Sequence, residues 1–208
     1  MNTPLIKNIL KKQKIIIPLK KNYKKLTKEK AYILGVLAGD GYVDKNIIKL
    51  EIRRDIDFIK EFANCLYQVY GSKYTYYYYP LRNSYIIYAA SQIIYEDLLK
   101  YGDFRTKTWK GPKIIMNSNK TDIISKYLNG LYDSEGSPSK YKISFSSDSK
   151  NGIIGVHRLL NKLNIQSRLY KLDKAHKTLE IMRKPYRIKF RELIGFSIKR
   201  KMDRLLEA

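Results

Sequence analysis

The chain has 208 residues, 44% of them hydrophobic, and sets 42 Lys and Arg against 19 Asp and Glu for a formal net charge of +23. That length and apolar content suit one sizeable domain or two small similar halves, and they exclude a disordered chain. So large a positive excess repels itself and favours an anionic partner, either nucleic acid or an anionic membrane surface. The single cysteine, Cys65, excludes an intrachain disulfide framework. His157 and His176 are the only histidines and have no Cys or His partners at zinc-ligand spacing. No apolar run approaches the roughly 20 residues of a membrane span. The run Ile15-Ile16-Ile17 is too short for a signal peptide. The expectation is an intracellular protein without a membrane partner. Richness in Lys, Ile and Tyr points to an AT-rich genome, in an archaeal cytoplasm or an organelle (mitochondrion or chloroplast).

In chain order, residues 1–26 form a basic extension in which Pro4 and Pro18 break any long helix. Thr27 is placed to cap a helix through KEKAYILGVLAG, and Gly41 stands where that helix is expected to stop. In NIIKLEIR (46–53), Ile48, Leu50 and Ile52 alternate with Lys49, Glu51 and Arg53, which predicts a half-buried strand. An amphipathic helix follows over 55–69, closed by Gly71. SKYTYYYYP and NSYIIYAA read as two strands joined near Pro80-Leu81-Arg82-Asn83, and SQIIYEDLLKYG reads as a helix. Residues 102–120 read as a linker. The order then recurs: a helix DIISKYLNGLYDSEG, a strand KYKISFSS, a helix NGIIGVHRLLNKLN, strands IQSRLYKL and KTLEIMR, and a helix PYRIKFRELIGF. The expected organisation is a first half over 27–101, the linker, and a second half over 121–208.

Two helix ends carry the chemistry. Gly35 and Gly39 lie four apart in the first half, as do Gly130 and Ser134 in the second. Small residues at that spacing share a helix face and let two backbones approach closely. Asp40 and Glu135 follow directly. If the two helices pair in parallel about a pseudo-twofold axis, both carboxylates arrive side by side. An acid at a helix C-terminus is misplaced by a few tenths to about 1 kcal/mol, and two together repel. A hard divalent cation, Mg²⁺ above all, relieves both, and orphan carbonyls at the helix ends can add oxygen ligands. Paired carboxylates, a divalent ion and a basic surface suggest metal-assisted phosphodiester hydrolysis.

ILGVLAGDG (33–41) and LNGLYDSEG (128–136) resemble the paired signature motifs of the LAGLIDADG homing endonucleases. Asp40 and Glu135 lie 95 residues apart (135 − 40), like the two motifs of monomeric members. KYGDFRTKTWK and IGFSIKRKMDRL add family-like phrases, and the resemblance covers roughly 27–205. It implies an α+β fold of two pseudosymmetric αββαββα half-domains, with a saddle of antiparallel strands over DNA. It also implies Asp40 and Glu135 as catalytic, metal-binding acids, with the carbonyls of Gly39 and Ser134 assisting. Mg²⁺ is the implied cofactor, with Mn²⁺ able to substitute, and double-strand cuts leave short 3′ overhangs at a long, imperfectly palindromic site. Ala38 departs from the motif's usual first acid, which Asp133 keeps. Basic residues expected near the attacking water are Arg53 or Arg54 in the first half and Lys140, Lys142 or Lys150 in the second.

Strand parity selects the side chains offered to DNA. Burial of Ile48, Leu50 and Ile52 turns Lys49, Glu51 and Arg53 outward. Burial of Tyr141, Ile143 and Phe145 turns out Lys142 and Ser144. Leu169 inward puts Arg168 and Tyr170 outward, and Leu179 with Ile181 inward does the same for Thr178 and Glu180. Lys73, Thr75 and Tyr77 are placed outward, and Arg82 sits at the hairpin tip. The expected function is a site-specific, intron-encoded DNA endonuclease acting as a monomer. With neither an N-terminal Cys or Ser block nor a C-terminal His-Asn end in the sequence, a free-standing enzyme is expected rather than an intein. The alternatives are an RNA maturase for its own intron and a cleavage-dead DNA-binding protein on the same fold.

Overall fold

The computed structural model describes residues 19–71, 74–170 and 177–206. The Thr27 hydroxyl accepts the Lys30 N–H at 3.2 Å and opens helix α1 (Lys28–Ala38). This helix ends earlier than the sequence suggests: Gly39 is the cap, donating to the carbonyls of Gly35 and Val36, and Gly41 already begins a strand. The first half continues through β1 (Gly41–Asp44), β2 (Ile47–Ile52), α2 (Ile56–Tyr70), β3 (Tyr76–Tyr79), β4 (Ser84–Ala90) and α3 (Gln92–Leu99). Gly71, left-handed at φ 87°, closes α2. A short 3₁₀ turn over Pro80–Arg82 joins β3 to β4. The second half is α5 (Thr121–Glu135), β5 (Gly136–Pro138), β6 (Ile143–Ser147), α6 (Lys150–Lys162), β7 (Arg168–Tyr170), β8 (Lys177–Ile181) and α7 (Lys184–Leu193).

Each half is therefore αββαββα, with a four-stranded antiparallel sheet ordered β1-β2-β4-β3 or β5-β6-β8-β7. One residue offset relates the first hairpins: Gly41 pairs with Leu50, and Gly136 with Phe145. Leu50, Ile87 and Tyr76 form one inward row, and Phe145, Leu179 and Leu169 its counterpart. Those rows join the side chains of α1, α2, α5 and α6 in one continuous core, leaving the opposite face of each sheet open.

The expected linker is more ordered than its composition implies. It holds the short helix α4 (Lys113–Met116) and a buried Trp109. The Trp109 indole donates to the Ser147 hydroxyl at 3.2 Å, and the ring fills the space beside Gly152. The end of the first half is thus tied to the second. After α7, a helix that the sequence reading did not assign, α8 (Lys199–Leu206), runs along the seam between the halves.

Candidate metal centre and nucleic-acid face

The motif helices α1 and α5 lie side by side and parallel, because only backbone separates them. A Cβ added to Gly35 would overlap the Tyr127 carbonyl oxygen and stand 3.0 Å from the Leu131 nitrogen. One added to Gly130 would overlap the Tyr32 carbonyl and stand 3.0 Å from the Val36 nitrogen. Four residues on, a Cβ on Gly39 would lie 2.8 Å from the Ser134 hydroxyl oxygen and 3.4 Å from Cγ of Glu135. Gly35, Gly39, Gly130 and Ser134 therefore all sit on the contact, and the two helix ends deliver Asp40 and Glu135 to one place.

The electrostatics bear the mark of that convergence. Burial among protein atoms, then the Asp40 charge, push the Glu135 carboxyl up to about 7, with Asp148 adding to the rise and Lys201 opposing it. Burial also raises Asp40, again against Lys201. Both side chains keep an exposed outer surface. Dense protein surrounds them on the other sides, and this withdraws water from the charged form while leaving the acids open to a ligand.

Lys201, on α8, is the nearby cation that sequence reasoning missed. It is only 8% exposed, and its ammonium donates to the carbonyls of Asp133 at 2.6 Å, Tyr132 at 3.2 Å and Ser134 at 3.4 Å. It caps the C-terminus of α5, where a cation is favoured. Burial lowers its pKa, while Asp133, Asp40 and Asp55 raise it. The signal in the sequence is its place on an apolar stripe: Ile198, Lys201, Met202 and Leu205 recur at i, i+3, i+4 and i+7.

Among the described residues, no group of three or more His, Cys, Asp or Glu forms a metal cage. Two converging carboxylates beside a helix-end carbonyl fit a hard ion of the Mg²⁺ type. Such an ion keeps several waters and is commonly held by one or two carboxylates plus substrate phosphates. A divalent cation would relieve the repulsion of Glu135 by the Asp40 charge.

The sheet register assigns the other candidates. Lys49 shares an open-face row with Tyr42 and Tyr88, and Glu51 another with Ile86 and Tyr77. Thr75, two residues from Tyr77 in sequence, is exposed. Glu51 accepts from Lys49 at 2.7 Å, Ser84 at 3.0 Å and Arg82 at 3.4 Å, so the hairpin tip and β2 share one ion network. Burial raises the Glu51 carboxyl, but these partners outweigh it and hold the pKa low. In the second half, Ser144, Glu180 and Arg168 form one open-face row, and Ser146, Thr178 and Tyr170 the next. Lys142 pairs with Glu180 at 2.5 Å. Tyr141 is not buried as parity suggested. It is 72% exposed because β6 starts only at Ile143, and Tyr141 belongs to the preceding turn.

Arg53 and Arg54 are exposed and follow β2 at the end of the hairpin that begins beside Asp40. Their expected second-half counterparts fall elsewhere. Lys140 and Lys142 occupy the far turn of the β5–β6 hairpin, away from Glu135, and Lys150 is exposed at the start of α6. The shared hairpin offset puts Asp148, an acid, where the first half has Arg53. Lys73 and residues 1–18 lie outside the described residues.

Comparison with known proteins agrees with this architecture. Residues 122–195 match the family model of the LAGLIDADG-like domain. A relative from Methanocaldococcus jannaschii, the uncharacterized protein MJ0314, is 30% identical over 169 residues; the match takes in 72% of this chain and 61% of that protein. Among solved structures, the homing endonuclease I-DmoI in complex with DNA and Mn superposes with TM-score 0.61 at 16% identity, covering 82% of this chain and 98% of that one. The homing endonuclease I-WcaI bound to its DNA recognition sequence gives 0.56 at 16%, covering 88% and 91%. The N-terminal LAGLIDADG domain of DUF199/WhiA gives 0.58 at 15%, covering 90% of each. Residues 122–195 thus match the LAGLIDADG-like domain, and the chain as a whole shares the fold of these LAGLIDADG structures.

Proposed function

We propose that the protein is a site-specific endonuclease that hydrolyses both strands of a DNA duplex with a divalent metal ion, Mg²⁺ or Mn²⁺. The observation that carries this reading is the parallel pairing of α1 and α5, which forces Asp40 and Glu135 together at an open helix end. A pair of acids so placed costs stability on its own and acquires a use when it holds a cation. The net charge of +23 supplies the long-range attraction for a polyanion.

In this reading Asp40 and Glu135 hold the ion, assisted by the carbonyls of Gly39 and Ser134. Bound there, a divalent ion would activate water and neutralise charge on a phosphodiester. Lys201 holds the end of α5 in place and offsets part of the acids' charge. In the same reading Arg53 and Arg54, exposed after β2, contact phosphate or the attacking water on the first half's side. Lys49, Thr75, Tyr77, Arg82, Lys142, Ser144, Arg168, Tyr170 and Thr178 face the groove. Glu51 and Glu180 orient the neighbouring cations. Arg168, over the Tyr170 ring at 5.0 Å, is braced to present its guanidinium to a guanine edge. Both acids reside in one chain, so the working form is a monomer. A long, imperfectly palindromic target and short 3′ overhangs complete the proposal.

The test is single-turnover cleavage of duplexes selected by binding to the protein, with Mg²⁺ and with a chelator. Defined double-strand cuts that vanish on chelation support the reading. Tight binding with no cutting in Mg²⁺ or Mn²⁺ overturns it in favour of a binding protein.

A further inference from the structure

The first turn of α8 touches both halves of the molecule. On one side Lys201 caps α5 immediately before Glu135. On the other, Arg200 grips Asp55 of the first half with two bonds, Nε to Oδ1 at 3.1 Å and an Nη to Oδ2 at 2.9 Å. The neighbouring Lys199 N–H points to Asp57 Oδ2 at 3.4 Å. Asp55 stands at the N-cap of α2, where an aspartate ordinarily bonds its own helix, yet its side chain makes no such bond. Both of its oxygens are turned across the seam instead. Asp55 also directly follows Arg53 and Arg54, the basic turn at the Asp40 end of the first sheet.

The opposite crossing is built differently. There the buried Trp109 ring packs on Gly152, and the indole and carbonyl of Trp109 bond Ser147 and Ser149. One crossing is thus a buried aromatic anchor, and another is a bidentate ion pair open to solvent on the Arg200 side.

We propose that Arg200 is a positioning residue of the metal centre. By gripping Asp55 it fixes the first turn of α8 against the first half, and so sets where Lys201 holds the end of α5 and Glu135 relative to Asp40. This rests on the reading that Asp40 and Glu135 bind a divalent ion.

Mn²⁺ binding to the DNA-free protein, followed by electron paramagnetic resonance, tests it together with thermal melting of the metal-free protein. Arg200→Gln removes a positive charge and Asp55→Asn a negative one, so a simple charge effect would move Mn²⁺ affinity in opposite directions. Positioning predicts that both substitutions weaken binding, on the order of tenfold. It also predicts that the double variant is no weaker than either single one, because the pair acts as a unit. Opposite shifts, or a lowered melting temperature with unchanged Mn²⁺ affinity, would overturn the proposal. Mn²⁺ binding in the parent that is absent, or indifferent to Asp40→Asn, removes the metal reading itself and this inference with it.

Discussion

The Tyr32 hydroxyl donates to the Asp133 carboxylate at 2.7 Å, across the packed faces of the two motif helices. The hairpin offset relates Tyr32 to Tyr127 and Asp133 to Ala38, and the second pair makes no such bond: the buried Tyr127 hydroxyl has no partner among the described residues. The first half carries Ala38 where an acid would complete the symmetry. Tyr32→Phe should therefore cost about 1–3 kcal/mol by removing the donor to Asp133 Oδ2, leaving only the Ser197 N–H on Oδ1 at 2.9 Å, while Tyr127→Phe should be neutral or stabilising. Chemical denaturation of the metal-free protein measures both. Equal losses at the two positions would contradict the asymmetry.

The helix contact leaves no room for a methyl group. Gly35→Ala and Gly130→Ala each drive a Cβ into backbone carbonyl oxygen, which cannot rotate away as a side chain would. Each should destabilise by about 1–3 kcal/mol or more and weaken divalent binding by parting the acids. An alanine at either position with parental melting temperature and Mn²⁺ affinity would refute the close parallel packing.

Protonation should govern the site near neutrality. Glu135 titrates from 4.5 when unperturbed to about 7 in the fold, and Asp133 from 3.8 to about 6. Both native pKa values are raised, so the native state binds these protons more tightly than the unfolded chain. The resulting stabilisation is fully present below the unfolded values and is lost as pH rises through about 6 to 7. From these two groups, the metal-free protein should melt higher at mildly acid than at mildly alkaline pH. Divalent affinity should run the other way, rising by up to about tenfold per pH unit as the competing proton leaves. Carboxyl resonances followed by NMR should show Glu135 titrating lower in Asp40→Asn. An unmoved Glu135 would mean the acids are not neighbours.

The repeat and its motif helices were legible because their determinants are local. Glycine and serine at four-residue spacing announce close helix contact, and alternation in β2, β6 and β8 fixes which face is open. Tyr32–Asp133 was not legible, since it joins residues 101 apart in sequence. Lys201 was hidden for another reason. Lys199-Arg200-Lys201 reads as a solvated charge run, and only tertiary packing turns its third member inward to the carbonyls of α5. Tyr141 misled because an aromatic next to a strand resembles a strand residue until the turn is placed.

The most direct measurement is strand-resolved cleavage of the selected duplex in Mg²⁺ by the parent, Asp40→Asn and Glu135→Gln, with DNA binding recorded in parallel. The account predicts cuts in both strands by the parent alone, and retained binding with cleavage reduced by several orders of magnitude in each variant, a loss of at least about 4 kcal/mol of transition-state stabilisation. Parental cutting by either variant would show that the paired acids are not the catalytic centre.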